Sequence, residues 1–204
     1  MRITRKQTEQ NRERIVAAAA QLFGEQGFDG VGIAELMQGA GLTHGGFYNH
    51  FDSKEALESA VCDAAFEAAV ARLEQLASKS ATAPRKRAAL ASYVAHYLSA
   101  AARDAPAPRC PMVALTGDAA RHGADIRRRF AAGFKRYIDA LAGLMGRPTN
   151  APRAEAERLR KEAIVLTATL VGAQLLARAV KDADVTLSDD ILATVQQATA
   201  RRRA

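Results

Sequence analysis

The chain has 204 residues, 49% of them hydrophobic and only 5% aromatic, with no tryptophan. Long stretches of Val, Ile and Thr alternating with polar residues are missing, which argues against a β-sandwich or barrel and leaves packed helices. The net charge of +7 suits a nucleic-acid partner, yet the surplus lies in the runs at 85–87, 127–129 and 201–203, blocks that usually stay solvated.

Within residues 1–50, Arg2, Arg5, Lys6, Arg12 and Arg14 are balanced by Glu9, Glu13, Glu25, Asp29 and Glu35. The basic arm at 2–14 is nonetheless placed to reach phosphates as it leads into the first helix. Cys62 and Cys110 make no disulfide framework, so a reducing cytoplasm is expected. The N-terminus lacks the apolar segment of a signal peptide. The longest apolar stretch, 163–177, is interrupted by Thr167, Thr169, Gly172 and Gln174. It falls short of the roughly 20 residues of a membrane span, so a helix buried on several faces is expected.

In chain order, Ile15, Ala18, Ala19, Leu22 and Phe23 recur at helical spacing and predict a first helix over 8–26, closed by Gly27. A short second helix follows over 33–39, with Ile33, Leu36 and Met37 inward. Gly39 and Gly41 bracket a turn that Leu42 plugs. The third helix starts with Thr43 as a side-chain N-cap and ends near Asn49. Asp52 or Ser53 caps a fourth, with Asp52 and Glu55 spaced as a capping box. It runs to about 77, and its unbroken apolar spacing should join two halves of the molecule. Breakers at 79–84, 104–111 and 146–152 separate helices predicted at 85–103, 112–121, 125–145 and 153–181. A last helix spans 188–200, capped by Ser188 or Thr186. The expectation is all-α, with about nine helices in two domains, 1–54 and 55–204.

The most informative segment is 40–57. Phe47, Tyr48 and Phe51 crowd around the adjacent Gly45 and Gly46 in a helix too short to bury its own aromatics. Glycine has no Cβ to hold a partner away, so this helix can press its backbone into a DNA major groove. No nucleophile–base spacing and no Gly-rich phosphate loop appears. His44, His50, His96 and His122 lack metal-ligand spacing. Neither an enzyme, a cofactor nor a metal site is expected.

The glycines at 27, 30, 32, 39 and 41, the run Phe47-Tyr48-Asn49-His50-Phe51 and the cap Ser53-Lys54-Glu55 together resemble the TetR/AcrR family of bacterial transcriptional regulators over about 10–60. The resemblance implies a helix-turn-helix domain followed by a helical ligand-binding and dimerisation domain. It implies a homodimer on a palindromic, double-stranded operator, with repression as the default and release by a small-molecule effector. By position, Thr43, His44, Gly45, Gly46, Tyr48, Asn49 and His50 face DNA. Tyr48 and His50 touch phosphate, and Lys54 holds a phosphate beside the N-terminal amides of its helix. Two departures reduce phosphate contact. Val31-Gly32 stands where relatives carry a hydroxyl, and His44 replaces a Lys or Arg, which makes binding pH-sensitive. Base contacts carry sequence information, so specificity leans on backbone approach, thymine methyl contacts and DNA shape.

In the second domain, Tyr93, Tyr97, Met112, Thr116, Phe130, Phe134, Tyr137, Thr167 and Gln174 are candidates to line a ligand pocket, since they mix aromatics with a few polar atoms. Ile164, Ala168, Val171, Gly172, Leu175 and Ala179, with Ile191, Leu192, Val195 and Ala198, form faces suited to a four-helix dimer interface. Cys110 precedes Pro111 at a helix start beside Arg109, a setting that favours thiolate. The alternative reading is therefore a repressor that senses oxidants or electrophiles through Cys110. Cys62 is expected to be structural.

Overall fold

The computed structural model describes residues 4–80, 82–148 and 150–201. Arg2 of the basic arm, Arg202 and Arg203 of the C-terminal run, and Ala81 and Thr149 of two breakers lie outside them. Among the described residues there are nine α-helices, one 3-10 helix and no strand. They fall into two compact units. One takes the chain up to Glu67 together with Pro106–Gly133, and the other takes Ala68–Ala105 together with Phe134 onward. This division differs from the expected boundary at 54/55. The first half of the long fourth helix and the later segment Pro106–Gly133 pack with the N-terminal helices.

In the first unit, α1 (Arg5–Gln26) starts a turn earlier than expected, because the Thr4 hydroxyl accepts the Gln7 N–H at 3.2 Å. Its Ile15, Ala19 and Phe23 are fully buried. Gly27, with φ 76°, ends the helix by donating to the Phe23 carbonyl at 2.9 Å. Phe28 then turns back edge-on to Phe23, 4.9 Å between ring centroids. The second helix, α2 (Ile33–Gly39), has the predicted bounds and buries Leu36 and Met37. Gly41 takes φ 67°, which lets Leu42 donate to the Met37 carbonyl at 2.8 Å.

The third predicted helix is a 3-10 helix, His44–Asn49. Thr43 stands at its N-cap but its hydroxyl makes no cap bond. The Gly46 N–H goes instead to the Thr43 carbonyl at 3.0 Å, which the tighter i→i+3 ladder brings into reach. The next helix, α3 (Lys54–Ser78), is capped by Ser53, whose Oγ accepts the Ala56 N–H at 3.2 Å, so the third helical position is Ala56 and not the expected Glu55. Residues up to 67 of α3 belong to this unit and the rest to the other. The unit is completed by α6 (Pro111–Arg121) and the first half of α7 (Ala124–Leu144).

In the second unit, the helix predicted over 85–103 is two: α4 (Ala83–Tyr97) and α5 (Ala100–Asp104). Ser99 takes extended backbone and its hydroxyl caps Ala102 N–H at 3.1 Å, restarting the helix. The break frees the Tyr97 carbonyl, which accepts from the buried Gln174 amide. The long α8 (Arg153–Val180) packs along α9 (Val185–Arg201). Ser188 is not the cap of α9; Asp184 accepts the Leu187 N–H at 2.9 Å. Ser188 is instead buried one turn inside, donating to the Ala177 carbonyl and accepting from Arg103, both at 2.8 Å. The buried Arg103 also pairs with Asp104 at 2.8 Å and Asp189 at 2.5 Å, which satisfies a charge that would otherwise be costly inside. By length and composition α8 is apolar enough to cross a membrane, contrary to expectation. It nonetheless buries Leu159, Ala163, Leu166, Leu170, Ala173 and Ala177, the pattern of a bundle helix.

Candidate nucleic-acid interface

The 3-10 helix divides its side chains sharply. Phe47 is fully buried, with Phe51 beside it at 5.8 Å between centroids. Tyr48, packed edge-on to Phe47 at 5.3 Å, is 63% exposed. Thr43, His44, Gly45 and Asn49 are exposed as well, and Gly46 and His50 are half-buried. The two inward rings anchor the segment while the rest of it faces out. An ideal Cβ built on Gly45 meets nothing within 4 Å, and one on Gly46 meets only ordinary contacts with Met37 and Thr43. Neither glycine has positive φ. Neither backbone conformation nor any neighbour among the described residues therefore requires glycine at either place.

The cations behave differently from expectation. Arg14 donates to the Ala40 carbonyl at 2.6 Å. Arg12 donates to the His50 carbonyl and lies 4.0 Å above the Phe51 ring. Lys54, expected on phosphate, instead sends its ammonium to the Phe28 carbonyl at 2.6 Å, 5.9 Å from the centre of the Phe23 ring. In each case a backbone carbonyl at a helix end or turn takes the charge, because such carbonyls have no partner in their own helix. His50 keeps its Nδ1 buried with no hydrogen-bond partner among the described residues. Gly32 stands at the N-cap of α2 without a side-chain cap.

Sequence spacing did not reveal a second cluster in the same unit. The buried Glu58 presents Oε2 to His122 Nδ1 at 3.7 Å, and Asp29 lies 3.6 Å from the other ring nitrogen. His122 sits edge-on to Phe28, 5.1 Å away. Burial pushes the Glu58 carboxyl above its usual range, opposed by His122 and Lys54. Both Glu58 and His122 border a cavity of about 580 Å³ that Arg12 and Arg129 also line. Contacts between positions so far apart leave no periodic trace.

The expected pocket residues are divided between the two units. Met112, Thr116 and Phe130 belong to the first unit and the other six to the second. Thr116 is exposed and donates to the Met112 carbonyl at 2.5 Å. Thr167 Oγ1 donates to the Ala163 carbonyl and Gln174 Nε2 to the Tyr97 carbonyl. Tyr93 and Tyr137 meet hydroxyl to hydroxyl at 2.6 Å, with the Tyr97 ring 6.0 Å from that of Tyr93. Cys110 is half-buried at the N-cap of α6. Cys62 is buried, and burial, with Asp63 next, pushes its thiol up to about 11. No group of three or more His, Cys, Asp or Glu suited to a metal occurs among the described residues.

The sequence model of the bacterial regulatory proteins, tetR family, matches residues 15–61. The transcriptional repressor NemR of Escherichia coli K12 is 30% identical over 169 residues, covering 82% of this chain and 83% of its own. The chain belongs to the TetR family. As a TetR-family protein it is a DNA-binding transcriptional regulator and not an enzyme. Two solved structures share the fold. The reduced form of E. coli NemR superposes with a TM-score of 0.73 at 24% identity, over 94% of this chain and 97% of that one. A TetR-family regulator from Agrobacterium tumefaciens gives 0.74 at 20% identity, over 96% and 98%.

Proposed function

We propose that the protein is a homodimeric repressor that holds a palindromic operator through the segment 43–50 and releases it when a small molecule binds the second unit. The observation that carries the reading is Gly45. It lies on the exposed side of an anchored helix, with neither positive φ nor an internal neighbour to account for a missing side chain. A close approach by something outside the chain accounts for it. Thr43, His44, Gly45, Gly46, Tyr48, Asn49 and His50 form the DNA-facing set. Lys54 acts there through the start of α3 more than through its engaged ammonium.

Repression is supported by the NemR relative, itself described as a repressor. Dimerisation is supported by Val165, Leu175 and Leu176 on α8 and Val185 and Leu187 on α9, large apolar side chains left exposed in the single chain. Leu192 is in the core of its unit and so does not belong to that face. In this reading the effector binds the second unit around Tyr93, Tyr97 and Tyr137, where the Tyr93 and Tyr137 hydroxyls meet. A bacterial cytoplasm is the setting.

Selection of bound duplexes from random DNA tests the reading. The wild type should enrich an inverted repeat, and Tyr48→Ala should lose at least about tenfold in affinity for it, some 1.4 kcal/mol, while remaining a folded dimer. Equal affinity in the variant refutes the assignment. A second reading, thiol sensing, is favoured by Cys110 at a helix start beside Arg109, with Cys62 held as an inert thiol. Cys110→Ser should then bind the operator normally and ignore oxidants; a preserved response removes that reading.

A further inference from the structure

We infer that Arg12 and Arg14 are positioning residues for DNA recognition, one guanidinium closing each end of the recognition segment, and that neither serves as a phosphate contact. The inference rests on 43–50 being the DNA-reading segment.

Two short helices end near this segment. Ala40 is the C-cap of α2 and His50 the C-cap of the 3-10 helix. Terminal carbonyls carry the negative end of the helix dipole and lack a following turn to bond them. Arg14 donates to the first at 2.6 Å and Arg12 to the second. Both are caps supplied from another helix, and both are charge-assisted. Gly41 fits the same device, since a Cβ there would lie 2.8 Å from Arg14 Nη2. Arg12 is held further by the face of Phe51, the ring that anchors the end of the segment.

The segment needs such support. It is held along its length by a 3-10 ladder, a geometry weaker than the α-helix. Thr43 gives no side-chain cap, and a Cβ added at Gly45 would find no neighbour to pack on. The α1 helix, by contrast, is fixed by Ile15, Ala19 and Phe23, all fully buried, so its arginines project from a rigid base. One donor of each is directed to a carbonyl, and on this inference that bond keeps the reading surface in shape.

Phosphate contact and positioning differ in salt dependence. Each phosphate contact adds about 0.9 to the slope of log affinity against log salt. The full-length protein is compared with Arg12→Met, Arg14→Met and Arg14→Lys. The probes are a duplex enriched by the wild type and a scrambled duplex of equal length, across about 50 to about 300 mM KCl. Each Met variant should lose about tenfold on the enriched duplex, keep its affinity for the scrambled one and keep the wild-type slope. Arg14→Lys, which retains a charged donor, should recover part of the loss. A slope smaller by about one unit per arginine would make them phosphate ligands and overturn the inference. Unchanged affinity would overturn it equally.

Amide hydrogen exchange without DNA provides the independent arm. Exchange over 44–50 should quicken in both Met variants while that of Ala19 and Phe23 stays slow. No change over 44–50, or faster exchange throughout α1, would overturn the inference. Failure of the wild type to enrich any duplex would instead overturn the DNA-reading role of the segment, leaving exchange to judge the two caps.

Discussion

Gly45 and Gly133 lie in helices of the same compact unit and meet opposite surroundings. A Cβ on Gly133, in α7, would stand 2.4 Å from the ring of Phe66, itself fully buried and edge-on to Phe130 at 5.1 Å. One on Gly45 would stand in open space. Glycine costs helix stability in both places relative to alanine. In α7 that cost lets an aromatic ring approach the backbone. In the 3-10 helix no internal contact is gained, and on the reading proposed above the return lies in what the segment binds. A glycine in a helix thus has at least two uses, and only its neighbours distinguish them.

The largest effect expected from this contrast is at Gly133. Gly133→Ala drives a methyl into Phe66 and should lower unfolding free energy by about 1–3 kcal/mol, read from urea midpoints. A variant as stable as the wild type would show that α7 can shift freely and would erase the contrast. Gly45→Ala should invert the pattern. Stability should hold or rise slightly, while affinity for the enriched duplex falls about tenfold, roughly 1.4 kcal/mol, in a gel-shift titration. Full affinity would mean that nothing approaches the backbone there.

The smallest effect concerns Glu58, which sharpens the comparison by probing packing around Phe28 without touching either glycine. Its carboxyl is raised in the folded chain, chiefly by burial. The stability it contributes is therefore fully present below the ordinary glutamic acid value, about 4.3, and is lost as pH rises through the raised folded value. Glu58→Gln should be more stable than the wild type at pH about 8, by less than about 1 kcal/mol, with the gap closing toward pH about 4.3. A gap that widens on acidification would show that attraction to His122 outweighs burial.

Much of the fold was legible because it is local. Phe23, Leu36 and Met37 occupy the buried positions their spacing implied, and α2 has its predicted bounds. The break at Ser99 was missed because a serine inside an apolar period reads as a tolerated helix residue until its carbonyl and hydroxyl find partners. The exposed character of Thr43, His44, Tyr48 and Asn49 agrees with the outward positions that the family resemblance implied. The direction of Arg12, Arg14 and Lys54 could not. A long cation on an exposed helix position looks the same whether it ends in water, on a phosphate or on a carbonyl 26 or 38 residues away.

The sequence by itself determined the helical class, the helix-turn-helix and the family, since helical periodicity, turn glycines and aromatic spacing are written along neighbouring positions. Only the tertiary structure decided where the charges went, which glycine was crowded and how the units divide the chain. Those outcomes depend on which atoms meet across long sequence separations, and such meetings leave no periodic mark in the chain.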